Sequence, residues 1–343
     1  MTIIASNTCR FLGAFRVLVV VASFGLAACG NDNRSSDPGA CPSDASGSVA
    51  TLHAAGGLLC GTLQMPAGSG PHPVALIVAG SGPTDRNGNN AFGIRTDVYR
   101  ELAEELAAGG VASVRYDKRG VGASARVVEA DLRPEHEADD VAAWLYQLKA
   151  DPRFTAVVVI GHSEGSLLGM LAMQKVPVSA FVSLAGPGRR MVQVFREQLT
   201  RQLDGLLLEQ ANRILDQLDA GQMVADVPAE LSYAFRPSVQ PYLIALLQYE
   251  GALELAKLAV PILIAQGTTD LQVTVSDARA LAGARPDAHV LVIDGMCHVL
   301  KMASIDRADQ VAILSDPARP IAPALLDGIN AFLQNGEHAN PGG

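Results

Sequence analysis

One stretch limits the fold more than any other. Val157-Val158-Val159-Ile160 runs without a spacer into Gly161-His162-Ser163-Glu164-Gly165, and a helical pattern begins at Ser166. Four consecutive β-branched apolar residues read as a strand buried on both faces, which requires a parallel sheet covered by helices. A Gly-x-Ser-x-Gly turn between such a strand and a helix is strained and brings backbones close, hence its glycines. It presents the Ser163 hydroxyl at a helix start, where N–H groups point outward.

The rest of the chain repeats the alternation. Short apolar runs predict strands at Val74–Val78, Val111–Tyr116, Ala180–Leu184, Ile262–Ala265 and Val290–Ile293, after a hairpin from about Val49 to Gln64 that turns at Gly56-Gly57. Helices fit Val98–Ala108, Ala138–Lys149, Ser166–Gln174, Ala278–Gly283 and Pro323–Gln334. The expected class is α/β, a mostly parallel central sheet flanked by helices. Residues 188–257 interrupt it. Met191, Phe195, Leu199, Leu203 and Leu207 recur at i+4 steps, with Ile214 and Leu218 beyond, as in one amphipathic helix, and a second helical stretch covers Val239–Leu258. Leaving the C-terminal edge of a sheet, this insertion reads as a helical cap over a site. Its Arg189, Arg190, Arg196 and Arg236 read as solvated helix faces.

Composition narrows the function. The 343 residues carry 26 Lys plus Arg against 35 Asp plus Glu, a net charge of −9, which disfavours a nucleic-acid partner because phosphate contacts need clustered cations. With 49% hydrophobic residues a large core is available, and at 5% aromatic the chain is too poor in rings for base-stacking platforms. The loop after Val78 lacks the Gly-Lys-Ser/Thr of a phosphate-binding loop. No Cys or His spacing suggests a metal site.

The N-terminus reads as an address. Residues 1–28 hold Arg10 and Arg16, no acid, and the apolar core Val17–Val21 continued through Phe24 to Leu26, the pattern of a secretory signal peptide. Leu26-Ala27-Ala28-Cys29-Gly30 resembles the lipobox of bacterial lipoproteins, which implies lipidation at Cys29 and anchoring in the cell envelope, facing the periplasm. Residues 29–47 form a polar tether, residues 48–335 the folded domain, and 336–343 a disordered tail. In an oxidising compartment, pairing of Cys41 with Cys60 would staple the tether to the first strands, though spacing alone does not establish it.

A serine hydroxyl is a weak nucleophile without a base, and the base needs an orienting carboxylate. Three histidines follow Ser163: His289 at the start of a strand, His338 in the polar tail, and His298 in the loop just after the strand Val290–Ile293, the position the base requires. Asp270 follows the strand Ile262–Ala265 by a short turn and is the expected acid; its rivals Asp277 and Asp294 read as an exposed helix-start residue and a turn residue. An oxyanion hole needs two backbone donors. Glu164, after the nucleophile, offers one, and Ser81 in Gly80-Ser81-Gly82-Pro83 offers the other, with Gly82 next.

Together with Asp117-Lys118-Arg119-Gly120-Val121-Gly122-Ala123-Ser124, Gly80 to Asn89, Gly267 to Val273, Met296 to Lys301 and Phe235 to Tyr242, these residues resemble the α/β-hydrolase superfamily, from about Ser48 to Gln334. More narrowly the chain is similar to bacterial serine carboxylesterases related to acyl-peptidases and dienelactone hydrolases. The resemblance implies a Ser163–Asp270–His298 triad, a small-molecule ester substrate, and no metal or organic cofactor. It implies a structural role for the Asp117–Ser124 turn. Cys297 departs from the pattern, where relatives carry Asn. An amide- or thioester-cleaving enzyme with the same triad, and a non-catalytic envelope lipoprotein kept for binding, are the competing readings.

Overall fold

The computed structural model describes residues 41–43 and 45–334. The expected signal segment, Cys29, most of the tether, and the 336–343 tail with His338 lie outside the described residues.

An eight-stranded sheet organises the chain. Its strands are β1 (Ser48–Ala54), β2 (Gly57–Gln64), β3 (His72–Val78), β4 (Ala112–Tyr116), β5 (Phe154–His162), β6 (Ala180–Leu184), β7 (Ile262–Gly267) and β8 (His289–Ile293), in the order β1-β2-β4-β3-β5-β6-β7-β8. The β1–β2 and β2–β4 pairs are antiparallel and the other five are parallel. This is the α/β-hydrolase fold expected from sequence. Alternation along β5 explains why an unbroken apolar run suits its place: Val157 and Val159 enter one core, Val158 and Ile160 the other. The edge strand β8 departs from that expectation. Val290 and Val292 are 48% and 46% exposed, on the last strand of the sheet.

The helices are α1 (Val98–Ala108), α2 (Pro134–Ala150), α3 (Glu164–Met173), α4 (Met191–Gln202), α5 (Gly205–Asp219), α6 (Ser232–Phe235), α7 (Gln240–Leu246), α8 (Gly251–Leu255), α9 (Val275–Ala284), α10 (Arg307–Ala312) and α11 (Pro323–Gln334). One face of the sheet packs on α2, α3, α8 and α9, with Trp144 and Leu281 fully buried. The other packs on α1 and α11 through Leu102, Leu325 and Ile329. A third core, formed by Phe195, Leu215, Leu218, Tyr242 and Leu246 among others, lies within the insertion.

The insertion is more broken than its periodicity suggests. The apolar stripe that predicts one helix from Met191 to Leu218 is two, because the chain turns at Leu203 and Asp204, both extended, and Gly205 takes φ +49°. The stretch Val239–Leu258 likewise divides into α7 and α8. The short helix α10, with no buried residue, carries too little apolar pattern to be expected.

Three local features steady the frame. Cys41 and Cys60 form a disulfide, so part of the expected tether is fastened to β2. Asp117 receives the backbone N–H of Arg86 at 2.9 Å and its guanidinium at 3.1 and 2.7 Å, a buried pair that holds the loop after β3. This bears out the structural reading of the Asp117–Ser124 turn. Asp277, expected exposed, is instead fully buried. It closes a capping box with Thr274 at the start of α9 and binds the Arg189 guanidinium at 3.1 and 2.8 Å.

Candidate active site

The site assembles at the C-terminal ends of β3, β5, β7 and β8, where open parallel sheets place chemistry. At the end of β5 the backbone of Ser163 sits at φ 55°, ψ −126°, a conformation that costs on the order of 1–3 kcal/mol for a residue with a side chain. The surroundings hold it there: Ser163 N–H donates to the Leu184 carbonyl at 2.8 Å, and Ser166 N–H returns to the Ser163 carbonyl at 2.9 Å. Gly165 is packed so closely on β3 that a Cβ there would stand 2.3 Å from the Val78 carbonyl oxygen.

The three expected side chains meet. His298 Nδ1 lies 2.8 Å from Asp270 Oδ2, and His298 Nε2 lies 3.0 Å from Ser163 Oγ. Asp270 can only accept here, so Nδ1 carries the proton and Nε2 faces the serine hydroxyl as an acceptor. Asp270 is fixed in turn. Its Oδ1 receives the Gln272 and Val273 N–H groups at 2.7 and 3.0 Å, and its Oδ2 receives Gln266 Nε2 at 3.1 Å. The rivals are engaged elsewhere, Asp277 with Arg189 and Asp294 with the Thr268 hydroxyl. His289 stands on β8 against Phe332.

A second histidine, which sequence reasoning passed over, ties these parts together. His162 Nε2 lies 2.8 Å from the His298 carbonyl oxygen, an acceptor, so Nε2 is the protonated nitrogen. Its Nδ1 therefore accepts the Tyr99 hydroxyl at 2.7 Å, and that hydroxyl receives Gly80 N–H at 3.1 Å. Burial, and then the neighbouring His298, push the His162 pKa down to about 3, so it stays neutral and serves as a brace. Burial likewise raises the Tyr99 phenol. The Gly80 amide is committed to Tyr99 and Pro83 lacks an N–H, which leaves Ser81 and Gly82, the donors the sequence nominated, as the candidates on this loop.

Glu164 brings a further contact that sequence reasoning missed, having named this residue for its backbone amide alone. Its side chain accepts from the Ser81 hydroxyl and meets the Tyr242 hydroxyl on α7 of the insertion. Tyr242 also meets Glu137 at 2.8 Å, and Glu137 pairs with Lys118 at 3.2 Å. The only legible signal was an acidic residue in the second x of Gly-x-Ser-x-Gly, a position the turn encloses.

The insertion roofs a cavity of about 380 Å³ over Ser163 and His298. Its walls are mainly apolar: Phe92 and Ile94 from one loop, Met191, Val194 and Phe195 from α4, and Leu314 beyond α10. The insertion's arginines do not line it. Arg190 and Arg196 pair with Asp219 and Asp216 on the exposed surface, as solvated faces do, whereas Arg189 with Glu197 and the buried Asp277, and Arg236 with Glu129, hold elements together. Among the described residues no group of three or more His, Cys, Asp or Glu is arranged to hold a metal ion. Cys297 is a buried free thiol whose pKa burial raises, which keeps it protonated beside His298.

The fold has counterparts. Est1E from Butyrivibrio proteoclasticus, solved with ferulic acid, superposes with a TM-score of 0.54 at 18% identity, covering 78% of this chain and 96% of that one. The Pyrococcus furiosus esterase Pf2001 gives 0.54 at 17% identity, covering 83% and 90%. At such identities the likeness is one of fold. By sequence, esterase EstD of Thermotoga maritima is 28% identical over 256 residues, 71% of this chain, and the match spans 58% of that relative's length. The sequence model of serine aminopeptidase S33 matches residues 92–302, a stretch that contains Ser163, Asp270 and His298, and the chain belongs to that family of serine hydrolases with the α/β-hydrolase fold.

Proposed function

We propose that the protein is a serine carboxylic-ester hydrolase acting on small to medium, uncharged esters through Ser163, His298 and Asp270. The observation that carries this reading is the hydrogen-bonded line from Ser163 Oγ to His298 to Asp270 at the floor of an apolar cavity. His298 takes the Ser163 proton as Oγ attacks the ester carbonyl, and Asp270 holds the imidazole and stabilises its cation. The Ser81 and Glu164 N–H groups receive the oxyanion. His298 then protonates the leaving alcohol, and water repeats the steps on the acyl-enzyme.

The family's name raises amide cleavage as the second reading. An aminopeptidase must hold a free ammonium group, which calls for an available carboxylate near the nucleophile. Among the described residues the one carboxylate lining the cavity is Glu164, and Ser81 and Tyr242 already occupy it. That occupancy favours an uncharged ester over a peptide N-terminus.

Lipidation at Cys29, a periplasm-facing place in the cell envelope, and descent from the acyl-peptidase and dienelactone-hydrolase branch belong to the same proposal, supported by the residues around Cys29 and by the elbow, oxyanion-loop and histidine motifs. A p-nitrophenyl ester series of increasing acyl length, assayed with the parent and with Ser163→Ala, tests the activity. The parent should turn over esters and Ser163→Ala should lose at least ~10⁴-fold in kcat. Full turnover by Ser163→Ala would end the proposal. For the anchor, a Cys29→Ser variant made in the bacterial host should be soluble and lack the lipid mass, and unchanged mass and solubility would count against it.

A further inference from the structure

The Glu164 side chain has a proton count that its surroundings decide. The Tyr242 hydroxyl has one hydrogen, yet it meets two carboxyl groups, Glu164 Oε1 and Glu137 Oε2. It can donate to only one of them, so the other must itself carry a proton and donate to the phenol oxygen. Lys118 Nζ lies 3.2 Å from Glu137 Oε2, an ammonium donor set against that carboxyl group as its ion-pair partner. Glu164, only 3% exposed, meets two hydroxyls instead. The proton is therefore on Glu164 Oε1. The line then reads without conflict: Ser81 Oγ–H to Glu164 Oε2, Glu164 Oε1–H to Tyr242 Oη, and Tyr242 Oη–H to Glu137, which Lys118 neutralises.

Resting on the hydrolase reading above, we propose that the Glu164 side chain is a positioning residue for the oxyanion hole: a neutral acid that fixes the Ser81 loop against the nucleophile elbow and, through Tyr242, makes that register depend on the seated cap. Both backbone donors of the hole belong to residues joined by this one contact, Ser81 and Glu164. Losing it frees the loop that carries one donor from the turn that carries the other. The loop after β3 has two other ties, Gly80 to Tyr99 and Arg86 to Asp117, but one orients the residue before the donor and the other the loop five residues beyond it. The acid must also be neutral to do this work. A carboxylate here would set a negative charge one residue from Ser163, beside the place where the oxyanion develops.

The groups that face Glu164 are Ser81 from the loop after β3, Tyr242 from α7, Glu137 from α2 and Lys118 from the turn after β4. Burial, the largest influence, and the Glu137 charge raise its pKa, while Lys118 and the two hydroxyls oppose the rise. The sign follows. Below the raised value Glu164 is neutral and the hole works; as pH climbs through it, the charge appears and kcat falls.

The test compares Glu164→Ala, Glu164→Gln, Ser81→Ala, Tyr242→Phe and the Ser81→Ala/Tyr242→Phe pair on one p-nitrophenyl ester, with a pH profile for each and melting temperatures as a folding check. Glu164→Ala should lower kcat about 30-fold with KM within about threefold, the split expected when transition-state stabilisation alone is lost. The Gln amide accepts from Ser81 and donates to Tyr242 as the neutral acid does, so Glu164→Gln should lose far less than Glu164→Ala, and its profile should lack the parent's fall with rising pH. The Ser81→Ala/Tyr242→Phe pair should lose less than the product of its two single losses, because either change breaks the same line. Equal losses in the Gln and Ala variants, a fall with rising pH that persists unchanged in Glu164→Gln, or independent effects in the pair would each overturn the inference. If Glu164→Ala fails to fold, the pair and the Gln profile decide. A parent that neither hydrolyses esters nor reacts with a fluorophosphonate would refute the hydrolase reading instead, and that outcome is read before any variant is compared.

Discussion

The sheet-borne half of the site and the insertion above it are held by different physics. Ser163, Asp270 and His298 stand at the ends of β5, β7 and β8, each placed by a strand and an adjoining turn whose pattern is local. The insertion is docked by side chains whose partners lie far off in sequence: Arg236 on Glu129, 107 residues away, Arg189 on Asp277, 88 away, and Tyr242 on Glu137, 105 away. Local pattern gives the body its chemistry. Long-range pairing decides how the roof sits over it and, through Glu164, how the oxyanion loop is held.

If that division is right, changes to the strand-end side chains should strike turnover, and changes to the pairs that dock the insertion, the Tyr242–Glu164 contact apart, should strike stability and substrate binding. After Ser163 itself, the largest effect belongs to Asp270. Asp270→Asn keeps the shape but disturbs the imidazole tautomer, and should lower kcat by ~10³–10⁴-fold with little change in melting temperature. A loss below tenfold would assign the orienting role elsewhere.

Next comes the Cys41–Cys60 bond, which closes a span of 19 residues. Removing both thiols should lower unfolding free energy by about 3 kcal/mol in denaturant titration, while kcat stays within about twofold, since the bond lies at the far edge of the sheet from His298. A large fall in kcat would show that the far edge of the sheet is coupled to the site.

The smallest effect is expected at the cap's anchor. Arg236 holds Glu129 with its Nε at 3.0 Å, and Glu129 also takes the Ser238 hydroxyl. Arg236→Ala leaves a mostly buried carboxylate short of its cation, which should cost about 2 kcal/mol of stability and raise KM several-fold more than it lowers kcat. A pure kcat effect would contradict the comparison.

The same contrast explains what could be read from the chain. The strands, α1 and α11 follow from apolar runs and periodicity, and the triad from motif and strand order. The signals fail where a residue's environment comes from a distant partner. Asp277 carries the marks of a helix start and is one, but its burial depends on Arg189 arriving from the insertion. The i+4 stripe through Leu203 and Leu207 continues in sequence while the backbone breaks at Asp204 and Gly205, because periodicity does not register a positive φ. Val290 and Val292 look like core residues and are exposed, since the pattern cannot say which strand ends the sheet. Glu164 was visible as a donor and invisible as an acid, because its partners Ser81 and Tyr242 lie 83 residues before it and 78 after it.

The central claim, a nucleophilic Ser163 in a working hydrolase, meets its most direct test in the intact mass of the protein after treatment with a fluorophosphonate. The account predicts one adduct per chain, located on the peptide that carries Ser163, with ester hydrolysis lost in step with labelling and no adduct on Ser163→Ala. An adduct on another residue, or full hydrolysis by the labelled protein, would contradict it.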